Sequence, residues 1–570
     1  MLEYIYYSIY ATCSFSFVYH HKKFSSNPVL LYFHTTNYPR SMSYRFSIFI
    51  LAWFLLYACN SGQKSDVKRH TTINMVTSFN NLFLDSPKLQ QFLHANIQFK
   101  NYEKQFEDFY KERNYEYAWF DSSGPGEQAN NFINLLNNTI SNLQDSSLYN
   151  RQLYGLYKSF TNNGIKHKQD EVLNTELFLT GQFFNYAARM YKGTDSDVVA
   201  LGWFIPRKKV NLTALLDSVI VTKNKQPDEF APLNEQYKKL QAFIPVYFQL
   251  QKTNWDSIAK PLKSLHIGDR NKIILTVKER LSKLDDFAVN DSSSVYDTAL
   301  SRSVKAFQKR MGLGVDGVIG TKMIDELNIT PAQRIQQIFV NLERIRWMPS
   351  ENESRRIFVN IPEYKMYVYD SGRLNFTMNV IVGTAANSTV IFSGNLKYIV
   401  FSPYWKVPVK IVREEILPAL KKDTAYLTRN NMERIGGRDT LPSIRQKPGP
   451  GNSLGKVKFL FPNNYDIYFH DTPNRDLFSA SSRSFSHGCI RVGEPKHLAE
   501  FLLQGDTTWN SIRMDTAMNS KKETWVALQK SVPVVIGYFT AWVDKNGELN
   551  FRKDIYGHDA KLADKLFVKQ

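Results

Sequence analysis

The sequence predicts a multidomain α+β protein: a helical N-terminal region, a small three-helix unit, and a predominantly β domain carrying a helical insertion. Three observations predict this. A chain of 570 residues exceeds a single core, since one domain accounts for roughly 100–200 residues. Apolar residues recur at helical spacing up to about residue 330. Beyond residue 355 they alternate, as on half-buried strands.

The N-terminal residues 1–59 read as an extension followed by an export signal. Residues 46–58, FSIFILAWFLLYA, form a thirteen-residue apolar run after Arg45. A membrane-crossing helix needs about 20 apolar residues, whereas a signal core needs about 7–15. The run ends in Ala58-Cys59, which resembles the lipobox of bacterial lipoproteins; that resemblance implies lipidation at Cys59. A short uncleaved anchor is the competing reading, and both place the rest of the chain outside the cytoplasm. Met42 stands where such a signal would begin, so residues 1–41 are expected to be an upstream extension. Residues 60–75 are polar and read as a tether.

Residues 76–257 form the helical region. Phe178, Leu179, Phe183, Tyr186 and Met190 fall near helical spacing and are expected to be core. Residues 258–330 form the three-helix unit. Ile273, Ile274, Val277, Leu281 and Leu284 mark its first helix. Val304, Phe307 and Met311 mark the second, stopped by Gly312, and Thr321 to Leu327 is the third. Residues 335–560 form the β domain. Its predicted strands include 356–361, 366–369, 375–382 and 534–539. Asp370-Ser371-Gly372 and Asn546-Gly547 are its turns, and 411–434 is a helical insertion.

Charge and cysteine usage narrow the function. The net charge is +19, but Lys and Arg are scattered, with no basic run and no nucleic-acid module; a nucleic-acid partner is not expected. A basic surface also suits an anionic envelope polymer. The three cysteines, Cys13, Cys59 and Cys489, are too few for a disulfide framework. His266, His497 and His558 are isolated. The loop glycines Gly449, Gly451 and Gly455 lack the Lys-Ser/Thr pair of a phosphate-binding loop.

Cys489 lies in Ser486-His487-Gly488-Cys489-Ile490-Arg491, downstream of His470 and Asp471. A thiolate is the reactive form of cysteine, and an imidazole can take the thiol proton. Two imidazoles qualify: His487, two residues away and on the same face if the segment is extended, and His470, if the fold brings it close. Arg491 continues the parity of 487 and 489 and can hold a carboxylate. Gly488 leaves the backbone open for main-chain N–H groups to stabilise an oxyanion. Asp471 either orients His470 or caps a turn. A zinc site built from His470, His487 and Cys489 is a competing reading, and a buried, inert Cys489 in a wall-binding lipoprotein is another. No metal and no other cofactor is expected.

The string from His470 through Ser486-His487-Gly488-Cys489-Ile490-Arg491 resembles the signature of the L,D-transpeptidase catalytic domain of the YkuD type. The resemblance extends to NLERIRWMP (341–349), FSPYWKVP (401–408) and IRQKPGPGNSLGKVKFLFPN (444–463). Residues 301–328 resemble a three-helix peptidoglycan-binding domain, with the AFQ, DGVIG and final LN elements all present. Together they resemble the large, membrane-anchored members, in which a helical scaffold domain and a peptidoglycan-binding domain precede the catalytic one. The resemblance implies a cell-envelope, periplasmic lipoprotein acting on peptidoglycan stem peptides. Cys489 would attack the L-centre carbonyl of meso-diaminopimelate in a tetrapeptide donor. A second diaminopimelate amine would resolve the thioester into a 3→3 cross-link, in cell-wall biogenesis and cell shape. His470 would carry the proton, His487 would assist, and Ser486, Gly488 and Arg491 would line the substrate and oxyanion site. Tyr404, Trp405 and the helix after them would form a lid. Transfer to water would make the enzyme an L,D-carboxypeptidase.

Overall fold

The computed structural model describes residues 80–162, 168–194, 197–221, 235–288, 291–349 and 354–567. All of them lie in one compact unit, Lys68–Gln570. The export segment 46–58, Cys59 and the tether 60–75 lie outside the described residues.

The helical region is built around α1 (Gln169–Ala187), which is buried on nearly every side. Its aromatic stripe is core: Phe178, Phe183, Phe184 and Tyr186 are buried. At its centre Glu176 accepts hydrogen bonds from the N–H groups of Ala118 (2.7 Å) and Trp119 (2.9 Å) and from the Tyr110 hydroxyl (2.9 Å). Burial pushes its carboxyl up to about 7.

The small unit holds α2 (Ile273–Lys283), α3 (Thr298–Arg310) and α4 (Thr321–Leu327), as the apolar spacing predicts. α3 ends at Gly312, whose φ of +69° suits glycine and whose missing Cβ leaves room for Arg552. Arg310 pairs with Asp286 and donates to the Leu549 carbonyl at 2.6 Å, which fastens this unit to the C-terminal domain. α5 (Pro331–Trp347) follows, opened by a capping box between Thr330 and Gln333.

The C-terminal domain is β-rich. Its strands are β1 (Arg356–Asn360), β2 (Lys365–Asp370), β3 (Arg373–Gly383), β4 (Ile391–Phe401), β5 (Trp405–Lys406), β6 (Met432–Arg438), β7 (Leu441–Gln446), β8 (Val457–Leu460), β9 (Phe469–His470), β10 (Ser484–Ser486), β11 (Ile490–Val492), β12 (Thr524–Gly537), β13 (Ala541–Val543) and β14 (Leu549–Phe551). The main sheet runs β8-β9-β11-β3-β2-β1-β12-β4. β4 also pairs with β8, so the sheet closes on itself. Inward residues alternate along each strand, with Ile357, Val359, Met366, Val368, Met378 and Val380 buried. The helical region adds the short strand Trp203–Phe204 to β4.

Two local expectations are corrected. The 411–434 segment is not one helix. It runs as Val409–Ile411, a π-turn at Val412–Ile416 and Leu417–Lys422, then Tyr426–Arg429, before entering β6. Pro418 has no N–H to give to a helical ladder, and the wider π-turn sits directly before it. Nor is Asn546-Gly547 a two-residue connection: residues 544–548 separate β13 from β14, closed by Asp544 N–H to Glu548 O at 3.0 Å.

β5, β7 and β6 form a separate three-stranded sheet inserted between β4 and β8. With the helices of 409–429 it has a core of its own: Val407, Ile411, Val412, Ile416 and Ile444.

Candidate active site

The site is assembled by two short parallel strands. β9 and β11 pair with Phe469 opposite Ile490 and His470 opposite Arg491. That register sets Tyr468, just before β9, beside Cys489, just before β11. The Ile490 N–H donates to the Tyr468 carbonyl at 3.2 Å.

The segment around the cysteine is not extended. β10 ends at Ser486, and β11 starts at Ile490. Between them Gly488 adopts φ +116°, a conformation that side-chain-bearing residues rarely take. The same-face parity of His487, Cys489 and Arg491 therefore does not hold. His487 is exposed, and its Nε2 lies 3.0 Å from Glu415 Oε1 on the inserted subdomain. Arg491 is half-buried, with its charge close to both Cys489 and His470.

Ser486 holds the bend. Its buried hydroxyl donates to the Cys489 carbonyl at 2.6 Å and accepts the Gly488 N–H at 3.2 Å. The Gly488 carbonyl accepts from Thr389 Oγ1 at 2.8 Å, and Thr389 Oγ1 in turn accepts the Gly383 N–H at 2.9 Å. Of the main-chain N–H groups expected near an oxyanion, that of Gly488 is engaged by Ser486 in this structure. The Cys489 N–H has no hydrogen-bond partner among the described residues.

The half-buried Cys489 Sγ donates to the Asp466 carbonyl at 3.5 Å. Tyr468 lies beside the sulfur, and its hydroxyl and N–H both favour the thiolate. Burial dominates nonetheless and pushes the thiol above its ordinary value, so the resting group is S–H. Tyr468 is a candidate site residue that the sequence analysis did not single out. The signal was present: it shares the parity of His470.

His470 is buried, and its Nδ1 lies 2.6 Å from the Asp471 carbonyl. A carbonyl only accepts, so Nδ1 carries the proton in the neutral ring and Nε2 keeps its lone pair. Burial, together with the neighbouring positive charge of Arg491, holds its pKa down to about 3. Its imidazole is neutral near pH 7. The Asp471 carboxylate does not bind it: Oδ2 accepts the Lys456 N–H at 2.9 Å and Oδ1 pairs with Arg475 at 3.0 Å. Asp471 positions the imidazole through its main chain and closes the turn with its side chain.

Arg491 Nε is buried and has no hydrogen-bond partner among the described residues. An unmatched guanidinium N–H beside a thiol is suited to a ligand carboxylate or carbonyl. Tyr404 and Trp405 stand at the base of the insertion. The Tyr404 N–H donates to Glu523 Oε1 at 2.9 Å, its ring lies 4.4 Å from the Arg445 guanidinium, and Trp405 packs on the insertion's core. These contacts lie at the base of the insertion and do not include the thiol. No group of three or more His, Cys, Asp or Glu side chains among the described residues is placed to hold a metal ion, so His470, His487 and Cys489 do not converge as a zinc ligand set.

The arrangement is therefore a nucleophile, a neutral base, a phenol donor, an unused main-chain N–H and a cation. Such a set is chemically suited to nucleophilic attack by sulfur on a carbonyl.

Several regions of the chain are similar to known protein families. Residues 354–517 match the YkuD family model, described as "L,D-transpeptidase catalytic domain". Residues 104–243 match "Scaffold domain", and residues 270–327 match "Putative peptidoglycan binding domain". A curated Haemophilus influenzae protein described as "Putative L,D-transpeptidase" is 34% identical over 253 residues, covering 42% of this chain and 50% of that protein. The chain thus spans about half the length of this curated relative. Among solved structures, an L,D-transpeptidase from Xylanimonas cellulosilytica shares 14% identity, covering 49% of this chain and 100% of its own, with TM-score 0.18. One from Stackebrandtia nassauensis shares 14%, covering 49% and 98%, with TM-score 0.21. At such scores neither bears on the details of this site. Three regions of the chain are thus similar, in order, to a scaffold domain, a peptidoglycan-binding domain and the YkuD-type L,D-transpeptidase catalytic domain.

Proposed function

We propose that this protein is a peptidoglycan L,D-transpeptidase that forms 3→3 cross-links through a thioester on Cys489. The observation that carries the reading is the β9–β11 register, which sets Cys489 beside Tyr468, whose ring centroid lies 5.8 Å from that of the neutral His470.

In this reading the Cys489 sulfur attacks the L-centre carbonyl of diaminopimelate in a donor tetrapeptide, and the thiol proton passes to His470 Nε2. The oxyanion is held by the Cys489 N–H and the Tyr468 hydroxyl. His470 then returns the proton to the departing amine of the terminal D-alanine, leaving a thioester. The side-chain amine of a second diaminopimelate attacks that thioester and loses a proton to His470. The sulfur leaves and is reprotonated, and the new amide is the cross-link. Starting from neutral thiol and neutral imidazole, each step moves one proton along one path. Arg491 Nε holds a donor carboxylate. The inserted subdomain of 405–446 excludes water, which favours an amine acceptor over hydrolysis. Ser486 is a positioning residue. His487 serves the lid, through Glu415.

The protein is further proposed to act in the cell envelope, exported by residues 46–58 and tethered to the membrane by a lipid on Cys59. Intact-protein mass after incubation with a disaccharide-tetrapeptide, with product analysis in parallel, tests the reading. A transient acyl adduct, absent in Cys489→Ala, with a 3→3 dimer supports it. An adduct giving only tripeptide makes the protein an L,D-carboxypeptidase. No adduct and no product from folded protein leaves a non-catalytic wall-binding lipoprotein and overturns the reading.

A further inference from the structure

The Cys489 N–H belongs to the peptide group whose carbonyl is that of Gly488. This peptide is trans, so its C=O and N–H point in opposite directions within one plane. Whatever grips the Gly488 oxygen therefore aims the Cys489 N–H. The grip is the buried Thr389 hydroxyl, which donates to that oxygen at 2.8 Å. The loop carrying Thr389 packs directly on the bend: a Cβ placed on Gly488 would lie 3.8 Å from the carbonyl oxygens of Asn387 and Ser388.

Thr389 is itself held by the C-terminal segment. Its N–H donates to the Tyr556 hydroxyl at 3.3 Å, and that hydroxyl donates to the Gly383 carbonyl at 2.6 Å. The Gly383 N–H returns to Thr389 Oγ1 at 2.9 Å, so Gly383, Thr389 and Tyr556 close a ring of hydrogen bonds. Tyr556 lies beyond residues 354–517, the stretch matched as catalytic domain. Its N–H donates to the buried Tyr538 hydroxyl at 3.0 Å, which donates to Asp554 at 2.6 Å. Asp554 also accepts the N–H groups of His558 (2.9 Å) and Asp559 (2.8 Å), which open α6 (His558–Leu566). Asp559 then pairs with Arg344 of α5 at 2.5 Å. A polar chain thus runs from α5 to the peptide group before Cys489.

We propose that Thr389 and Tyr556 are positioning residues for acyl transfer at Cys489: together they hold the Gly488–Cys489 peptide so that its N–H meets the oxyanion. The C-terminal segment is thereby part of the apparatus that works the thiol. A hydroxyl donated to the Gly488 carbonyl also polarises the peptide group and strengthens its N–H as a donor. The proposal rests on Cys489 being the nucleophile of the proposed function, but not on which acyl donor it attacks.

The test compares two reactions of Cys489 in the full-length protein, each read as the rate above that of Cys489→Ala. With p-nitrophenyl acetate the sulfur bonds to the acetyl carbon, the thiol loses its proton, and p-nitrophenolate leaves by way of an oxyanion. With iodoacetamide the sulfur displaces iodide and no oxyanion forms. Tyr556→Phe and Thr389→Val are each expected to slow acetylation about tenfold, since a misaimed donor costs less than the roughly 10²–10³ of a removed one, and to leave alkylation within about twofold. A merely structural loosening would move both reactions alike. For a disaccharide-tetrapeptide, kcat should fall by a similar factor with KM within about twofold. Thr389→Ser keeps the hydroxyl and should restore most of the acetylation rate. The combined Tyr556→Phe, Thr389→Val variant should be little slower than Thr389→Val alone, because Tyr556 acts through Thr389. Acetylation unchanged in both single variants, equal slowing of both reactions, or multiplied losses in the combined variant overturns the proposal. Wild type that is acetylated on Cys489, with the variants slowed as expected, but turns over no tetrapeptide leaves the positioning standing and sinks the proposed function instead. Wild type that is not acetylated on Cys489 overturns both.

Discussion

His487 Nε2 lies 3.0 Å from Glu415 Oε1, so the residue two before Cys489 reaches out to the inserted subdomain. A second contact, Lys410 Nζ to Asn387 Oδ1 at 2.6 Å, ties the same helical segment to the loop after β3. The insertion otherwise has its own small core and is joined to the domain through β4 and β8. These two polar contacts are further ties between it and the rest of the domain. Exposed pairs of this kind contribute about 0–1 kcal/mol each. Glu415→Ala combined with Lys410→Ala is therefore expected to raise amide exchange over residues 409–429 by up to about tenfold, with no change in global melting. Alkylation of Cys489 by a bulky reagent should quicken in parallel. Exchange unchanged in the double variant would mean that the lid is held by its hinge alone.

The Tyr468 hydroxyl faces the sulfur where negative charge develops. Removal of one oxyanion donor costs roughly 10²–10³ in turnover. Tyr468→Phe is expected to lower kcat by about that factor while leaving donor binding within about threefold. Because the phenol also lowers the thiol's pKa, the variant should alkylate more slowly at a fixed pH near 8. A kcat within twofold of wild type would remove Tyr468 from the oxyanion site.

The divide between what was legible in the sequence and what was not follows the length scale of each contact. Ser486 to Arg491 is one contiguous string, so the nucleophile and its flanking groups could be read directly. The period change near 355 announced the β domain, because a closed sheet needs alternation on every strand. Gly488 was legible as a special backbone position, but its φ of +116° breaks the strand and turns His487 outward, which a parity rule for extended chain does not foresee. The partners Glu415 and Thr389 lie 72 and 99 residues from His487 and Gly488, and only the fold brings them in. Pro418 hinted at a break in the inserted helix, since the chain cannot donate there.

Ser486 is the clearest test of positioning without contact chemistry. Its hydroxyl satisfies a buried N–H and a buried carbonyl within one bend. Ser486→Ala leaves both without that partner, which costs about 1–3 kcal/mol for a buried group. Denaturant unfolding is expected to show that loss, with turnover falling more than donor affinity. Ser486→Thr keeps the hydroxyl and should restore most of both. A threonine variant as impaired as the alanine one would argue for crowding rather than a lost hydrogen bond.

His470 also links the site to acid stability. Its native pKa is held down to about 3, against about 6.5 in the unfolded chain. Between those values the unfolded state binds a proton that the native state does not, so unfolding free energy rises with pH. The native state consequently loses stability as pH falls from about 6.5 towards 3, by on the order of 4 kcal/mol at the acid end. His558, held down to about 4 by burial and the nearby Arg344, acts with the same sign. His470→Gln keeps a neutral polar side chain and removes one titrating group. Urea unfolding at pH 7, 5 and 4 is expected to show a shallower loss of stability in the variant than in wild type, even where its value at pH 7 is lower. The residual slope should be that of His558 and the carboxylates. Equal slopes in the two proteins would mean that His470 takes its proton in the folded state at ordinary pH, and would remove the neutral base from the proposed mechanism.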